Sequence, residues 1–304
     1  MAARTKRLAL VILAVLIWCG ASAYATLRGP QGSARQEPET QGARRIVSIV
    51  PALTEILFAI GAGPRVVAVS SYDDFPPAVT SLPRVGALLD PDVERILALR
   101  PDLVVSYGSQ TDLQGQLERA RIRVFSYRHA GLAGLFETIG ALGTATGRKQ
   151  DADRLARTLR AQLDEIRARV KGRGRPRTLL IFERDPLSLR GLYVSGGRGF
   201  LHEMLDIAGG DNVFADLQRE AVQPSQETLL MRAPDVIIEV RATGLLPAAT
   251  FAVEERKVWA PLGSIPAVRH NRIHVLDGEH LVVPGPRVAQ GTEALARALH
   301  PQAF

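Results

Sequence analysis

The sequence predicts an α/β protein of two lobes, one on each side of a single long helix. Three observations carry this. A charged helical stretch spans residues 148–171, near the middle of the chain. Short β-branched runs alternate with helical patterns both before and after it. One segment ahead of it has a near-copy behind it.

The central stretch reads RKQDADRLARTLRAQLDEIRARVK, and it places Leu155, Leu159, Leu163, Ile166 and Val170 along one helical face. Most other positions are Arg, Asp, Gln or Glu, and neither Pro nor Gly interrupts the run. Gly147 precedes it, and Gly172, Gly174 and Pro176 follow as stop signals. At 1.5 Å per residue it is roughly 36 Å long, about the width of a small domain. A surface helix of one large domain is the plain alternative.

Ahead of this helix, residues 45–50 read as a short buried strand, and Pro51 turns the chain into a helix for which Thr54 is the candidate cap. Residues 66–69 are a second strand, followed by the polar and aromatic loop SSYDDFPP from Ser70. Residues 92–99 read as a short helix stopped by Pro101, 103–105 as a strand, 113–120 as helix and 124–126 as strand. Residues 132–146 lead into the long helix. Behind it, strands are expected at 178–182, 192–195, 236–240 and 273–276, and helices at 200–207, 226–232 and 288–299. Such alternation implies parallel sheet covered by helices, once on each side. The repeat is DVERILALRPDLVV, from Asp92, against SQETLLMRAPDVII, from Ser225. In both, a Glu (Glu94, Glu227) lies seven residues before a Pro-Asp pair that opens an apolar strand.

The chain has 304 residues, enough for one large or two medium domains. Its formal net charge is +7, and Arg4, Lys6 and Arg7 of that excess sit in the first residues. No Lys/Arg run with interleaved aromatics is present, so a nucleic-acid partner is not expected. Residues 1–25 have the form of a signal peptide: a basic start, an apolar run from Leu8 to Trp18 too short for a comfortable membrane span, and small-x-small sites at Ala21–Ala23 and Ala23–Ala25. Cys19 opens a lipid-anchored alternative, against which stands the bulky Trp18 before it; a retained leader is a third. Cys19 is the single cysteine, so the exported domain is held by its core without a disulfide. Residues 26–43 are rich in Gly, Pro and Gln and read as a flexible linker. The expected organisation is therefore an N-terminal lobe at 44–131, a helical connection at 132–175 and a C-terminal lobe at 176–304.

Taken together, SIVPALTEILFAIGAG, SSYDDFPP, the two repeat segments, the long helix, AGGDNVFAD and AVRHNRIHVLDG resemble the substrate-binding proteins of ABC importers, in the group handling cobalamin, haem and ferric siderophores. The resemblance covers nearly all of residues 44–302. It implies two Rossmann-like α/β lobes joined by a single long backbone helix, with a ligand cleft between the lobes. It also implies a monomer without a resident cofactor, whose partners are a metal chelate and a permease dimer with its ATPase, outside the cytoplasm. One surface acid per lobe docks such proteins on the permease; by motif these are Glu94 and Glu227. At the start of a helix an acid is also favoured by the helix dipole alone.

Ligand sites in α/β folds lie in the loops beyond the strand carboxyl ends. That selects Pro51, Ala52, Ser71, Tyr72, Asp74, Tyr107, Tyr193, Gly196, Glu279 and His280. A flat macrocycle is gripped by aromatic faces, and Tyr72, Tyr107 and Tyr193 supply them. The resemblance to cobalamin binders is strongest at SSYDDFPP, where Tyr72 matches an aromatic facing the corrin. Where those proteins usually carry tryptophans, this chain has Leu88 and Ala221, and Trp259 reads as packing. Haem is the main rival and needs an axial ligand, for which Tyr72, Tyr107, His129 and His280 are candidates. A ferric siderophore would call on Arg184 and Arg190. Bare metal is disfavoured, because the histidines show no ligand spacing. A phosphate enzyme built on Ser195-Gly196-Gly197-Arg198-Gly199 is the distant alternative, but no catalytic motif accompanies that turn. No catalytic or metal-ligating residue is assigned.

Overall fold

The computed structural model describes residues 42–241 and 257–304. The expected leader and all but the end of the expected linker lie outside the described residues. Ala43, at that end, is fully buried, and its N–H donates to the Ala145 carbonyl at 3.1 Å. The described chain divides into two compact units. One comprises residues 42–128 and 136–156, the other residues 129–135 and 157–304.

The first unit is built on a four-stranded sheet in the order β2-β1-β3-β4, with β1 Ile46–Ser48, β2 Val66–Val69, β3 Leu103–Tyr107 and β4 Arg123–Tyr127. Every pairing is parallel. β1 is buried along its whole length, as expected of a central strand covered on both faces. Helices α1 Pro51–Ala59, α2 Val93–Ala98 and α3 Thr111–Arg119 follow the strands, and Val47, Ile49, Val85, Ile96, Val104 and Leu117 form the core. Pro51 begins α1, where its missing N–H is no loss. Thr54 is therefore not the cap. It lies inside the helix, fully buried, and its hydroxyl donates to Ser48 Oγ at 2.8 Å.

Helices α4 Gly131–Ala145 and α5 Lys149–Val170 come next. α5 matches the predicted long helix, and its residues up to 156 group with the first unit and those from 157 with the second. Its buried stripe is Ala152, Ala156, Leu159, Leu163, Ile166 and Val170, with Leu155 only half-buried. Small residues replace large ones at its start because α4 lies close there: any Cβ on Gly143 would collide with the Ala152 methyl.

The second unit has a six-stranded sheet. Its main order is β10-β9-β5-β6-β8, with β7 paired to β5. The strands are β5 Arg177–Glu183, β6 Tyr193–Ser195, β7 Asp211–Asn212, β8 Ala221–Val222, β9 Val236–Arg241 and β10 Ile273–Asp277. β5, β9 and β10 are parallel, but β6 runs antiparallel to β5 and to β8. The expected all-parallel sheet is thus mixed here. The physical reason is connection length. Residues 184–192 are too few for the crossover a parallel neighbour needs, and they fold back as a turn closed by Asp185 N–H on the Arg190 carbonyl at 2.9 Å. Helices α6 Phe200–Ile207, α7 Gln226–Arg232, α8 Pro266–Arg269 and α9 Val288–Leu299 complete the unit. Trp259 is fully buried in its core with Phe214, Val194 and Ile237.

The sequence repeat is a structural repeat. α2 is capped by Asp92, which accepts the Arg95 N–H, and α7 by Ser225, which accepts the Thr228 N–H. Each helix is followed by a residue in the left-handed region, Arg100 at φ 48° and Ala233 at φ 43°. In the first unit the Arg45 guanidinium caps the Leu99 carbonyl at 2.8 Å, and Arg45 N–H donates to the Asp102 carboxylate at 3.1 Å. In the second, the Arg177 guanidinium caps the Arg232 carbonyl at 2.6 Å, and Arg177 N–H donates to the Asp235 carboxylate at 3.3 Å. The Pro-Asp pair thus ties the new strand to the first strand of its unit, twice over.

Candidate functional site

Parallel strands place all their carboxyl ends at one edge of a sheet. In the first unit this edge gathers Pro51 after β1, the loop from Ser70 after β2, and Tyr107 at the end of β3. The loop after β2 is fixed by its own polar atoms. Asp73 Oδ2 accepts the Ser70 N–H at 2.8 Å, and Ser70 Oγ accepts the Tyr72 N–H at 3.0 Å. Arg84 Nη1 donates to the carbonyls of Ser70 and Asp73 at 2.8 and 2.5 Å. Ser71 N–H donates to Gly86 O at 2.8 Å, joining this loop to the segment that carries Leu88. Gln110 ties the same segment to β3: its Oε1 accepts the Tyr107 N–H at 3.0 Å, and its Nε2 donates to the carbonyls of Ala87 and Leu88 at 3.2 and 3.1 Å.

The outcome is one connected surface. Tyr72 and Leu88 are half-buried, Ser71 and Asp74 exposed, Ala52 buried and Pro51 half-buried. Phe75 and Leu89 of the same loops are 37% and 61% exposed, high for large apolar side chains. The Tyr107 ring meets that of Tyr127 at 6.1 Å, tilted by 57°. Burial, then Tyr127 and Asp73, raise the Tyr107 hydroxyl well above the usual phenol range, so it remains a neutral donor.

In the second unit the corresponding edge gathers the ends of β5, β9 and β10. Tyr193 belongs here, because it pairs with Glu183 across the antiparallel ladder, and its ring stacks on Phe182 at 6.2 Å. Burial, helped by Asp185, pushes the Glu183 carboxyl up to about 6. After β10 comes the 3-10 turn Glu279–Leu281. His280 is half-buried, and burial together with Arg287 holds its pKa below the ordinary histidine value. Gly196 is not part of this group. It is buried beside the amino-terminal half of β5; its N–H goes to the Glu220 carbonyl and its own carbonyl accepts Asn212 Nδ2 at 2.9 Å. Gly197 N–H is likewise spent on the Leu217 carbonyl at 2.8 Å. These glycines are needed because a Cβ at either would strike the backbone of residues 215–219. The Gly196 and Gly197 N–H groups are therefore both committed to carbonyls of the same unit.

Arg184 is not open to an anionic ligand as the sequence suggested. It grips Glu239 at 2.8 Å with both side chains almost fully buried, and Glu239 also accepts from Arg241 and from Trp259 Nε1 at 2.6 and 2.9 Å. Arg190 is exposed. His129 packs edge-on against Phe200 at 5.3 Å, and burial lowers its pKa against the opposing pull of Glu220 and Glu203. Among the described residues no three His, Cys, Asp or Glu side chains converge as a metal site. Glu94 and Glu227 are exposed in the first turns of α2 and α7, at equivalent places in the repeat.

Each α/β unit thus carries aromatic side chains at the carboxyl edge of its sheet, Tyr72 and Tyr107 in the first and Phe182 and Tyr193 in the second, the edge where α/β folds bind small molecules. The description of the periplasmic binding protein family matches residues 46–280, and the chain belongs to that family. It is 30% identical over 269 residues to the uncharacterized ABC transporter substrate-binding lipoprotein YvrC of Bacillus subtilis, covering 86% of this chain and 81% of that one. It is 30% identical over 259 residues to the vitamin B12-binding protein of Salmonella typhimurium, covering 84% and 90%. Among solved structures, the periplasmic heme-binding protein RhuT from Roseiflexus matches with a TM-score of 0.70 and 27% identity, over 86% of this chain and all of that one.

Proposed function

We propose that this protein is the extracytoplasmic substrate-binding component of an ABC importer and that it captures cobalamin. The carrying observation is the Tyr72 loop. A half-buried ring is presented on a backbone clamped by Asp73, Ser70 and Arg84, beside the exposed apolar side chains of Leu89 and Phe75. A rigid aromatic face amid apolar neighbours suits a flat, largely apolar macrocycle. Leu88, Tyr107, Pro51, Ala52, Ser71 and Asp74 complete that edge, and Tyr193, Glu279 and His280 stand at the equivalent edge of the second unit.

Haem is the second reading, supported by the place of His280 on the turn after β10, where burial and Arg287 hold its pKa below the ordinary histidine value and so favour the neutral imidazole that binds iron. A ferric siderophore loses one of its two candidate arginines, because Arg184 is committed to Glu239, and keeps the exposed Arg190.

Glu94 and Glu227 are the docking acids in this reading, meeting basic residues of a two-fold permease that works with its ATPase. Leu230 and Met231, on the same face of α7 as Glu227, are 40% and 78% exposed, an apolar patch beside the charge. The protein acts as a monomer outside the cytoplasm, delivered there by residues 1–25, with lipid anchoring through Cys19 or a retained leader as the other routes. The test is co-elution: protein incubated with cyanocobalamin leaves a gel-filtration column coloured. A colourless protein peak with cyanocobalamin and a coloured one with haemin would replace the first reading by the second.

A further inference from the structure

The two edges of the first unit's sheet differ in charge. At or within three residues of its four strand starts stand Arg44, Arg45, Arg65, Arg100, Arg121 and Arg123, and the acid among them is Asp102. Arg65 is half-buried and the other five arginines are exposed. The order β2-β1-β3-β4 sets these starts side by side, over about 15 Å at the usual strand spacing. Neighbouring starts are closer than the screening length, about 10 Å at about 0.1 M salt, so the charges act together. Carbonyls hold several of the guanidinium groups: Leu99 that of Arg45 at 2.8 Å, Ala43 and Thr146 that of Arg65 at 3.1 and 2.7 Å, and Asp102 that of Arg123 at 3.2 Å. A carbonyl orients a cation without cancelling its charge. Beside this set, Arg148 and Lys149 are paired with Asp151 and Asp153 at 3.3 and 2.9 Å, and Glu118 is offset by Arg119. The carboxyl edge has the opposite sign: Asp74, Asp90, Asp92, Glu94 and Asp112 are exposed there, against Arg95 and Arg128. Two of the six arginines also stand where the backbone disfavours them. Arg100 and Arg121 follow α2 and α3 in the left-handed region, at φ 48° and 58°, where Gly or Asn is the usual choice. The dipole of a helix end favours a cation, but in α3 the last turn already supplies Arg119.

We propose that this arginine edge is a docking surface for anionic phospholipid, and that it holds the first unit on a membrane with the Tyr72 edge turned away from the lipid. Guanidinium groups pair well with phosphate diesters. None of the large apolar side chains exposed among the described residues lies on this edge, so it suits a plane of headgroups and lacks the aromatic faces that stack nucleic-acid bases. The same surface repels the acids of the opposite edge, so the charge pattern sets an orientation as well as an attraction. The path of the chain agrees. Ala43 is fixed on Ala145 at this edge, and residues 1–41, with the apolar run from Leu8 to Trp18, join the unit immediately before it. The second unit shows the bias in weaker form, because Arg175, ahead of β5, is paired with Asp206 at 2.6 Å. The choice of lipid among anionic partners rests on the extracytoplasmic place proposed above. It does not depend on which ligand is captured.

The experiment is co-sedimentation of the protein, as an exporting host delivers it, with vesicles of phosphatidylglycerol and of phosphatidylcholine. The readout is the preference for the anionic vesicles, which is expected to be clear at low salt and to shrink as salt is added. Arg100→Asn with Arg121→Asn suits the left-handed backbone, so the fold is kept, as circular dichroism checks. The preference should fall by about fivefold for each arginine, about 25-fold for the pair. Arg44→Gln leaves both left-handed positions untouched and should lose about fivefold by itself. Arg128→Gln makes the same charge change on the other edge and should leave the preference as it is. Residues ahead of the unit are identical in every variant, so the differences report the edge alone. Hydrogen exchange on the anionic vesicles should slow at residues 99–102 and 118–123 and not at 70–75. A wild type without preference, a preference untouched by the arginine pair, an equal loss in Arg128→Gln, or slowing at 70–75 in place of the arginine edge would each overturn the proposal. Binding to soluble polyphosphate with none to vesicles would overturn it in favour of a polymeric anion. No step uses cyanocobalamin, so failure here leaves the ligand reading standing, and failure of that reading leaves this result intact.

Discussion

Arg184 and Glu239 form a forked ion pair, with Nη2 2.8 and 3.1 Å from the two carboxylate oxygens and 3% and 2% of the side chains exposed. They lie at adjacent carboxyl ends of β5 and β9, where a ligand-facing arginine would also lie. The pair spans these two strands, and Trp259 is bonded to the same carboxylate. Arg184→Ala is therefore expected to lower stability by about 3–5 kcal/mol, as for one partner lost from a buried pair. Urea denaturation checks it. A stable variant with lost ligand affinity would instead make Arg184 a ligand contact.

Tyr72→Ala is expected to weaken cyanocobalamin binding by about 1–3 kcal/mol, the range for truncating a buried aromatic anchor. Calorimetry on the variant reads this, and circular dichroism confirms that the fold is kept. Unchanged affinity would move the site off this loop.

Glu94→Ala with Glu227→Ala should abolish transport in a reconstituted importer and leave ligand affinity intact. The fold should be kept, because both acids are exposed in the first turns of their helices. Reduced affinity in the double variant would argue that these acids act on ligand and not on the permease.

Protein stability should carry the signature of Asp73. Its folded pKa of about 7 lies above the unfolded value of 3.8. Between those values the folded chain binds the extra proton, so this group makes stability decline as pH rises through that window, and the full penalty is present above about 7. Glu183, raised to about 6, works in the same direction over a narrower range. Chemical denaturation across this window should therefore show a smaller decline for Asp73→Asn than for the wild type. Parallel curves would mean that Asp73 has an ordinary pKa.

Periodicity and spacing were enough to find α5, most strands and the repeat, because each depends on residues close together in sequence. Leu155 was misplaced in the buried stripe because a close helix neighbour at Gly143 selects Ala152 and Ala156, and a one-helix pattern carries no trace of that neighbour. The roles of Arg45 and Arg177 were missed for a similar reason: their partners Asp102 and Asp235 are 57 and 58 residues away. At the site, Tyr72, Tyr107 and Tyr193 follow from the rule that strand carboxyl ends carry function. Asp73 does not. It and Asp74 are the same residue side by side, and only burial distinguishes the exposed one from the one beneath the loop. Gly196 could be read as a ligand turn or as close backbone packing, and the segment 215–219 decides for packing.

The central claim is that the Tyr72 edge receives a corrin. Calorimetric titration of the purified protein with cyanocobalamin, haemin and a ferric hydroxamate, in parallel, tests it most directly. Saturable one-to-one binding of cyanocobalamin, tighter than the other two and weakened by Tyr72→Ala, is the predicted result. Tighter binding of haemin or the hydroxamate, or cyanocobalamin binding indifferent to Tyr72, would contradict it.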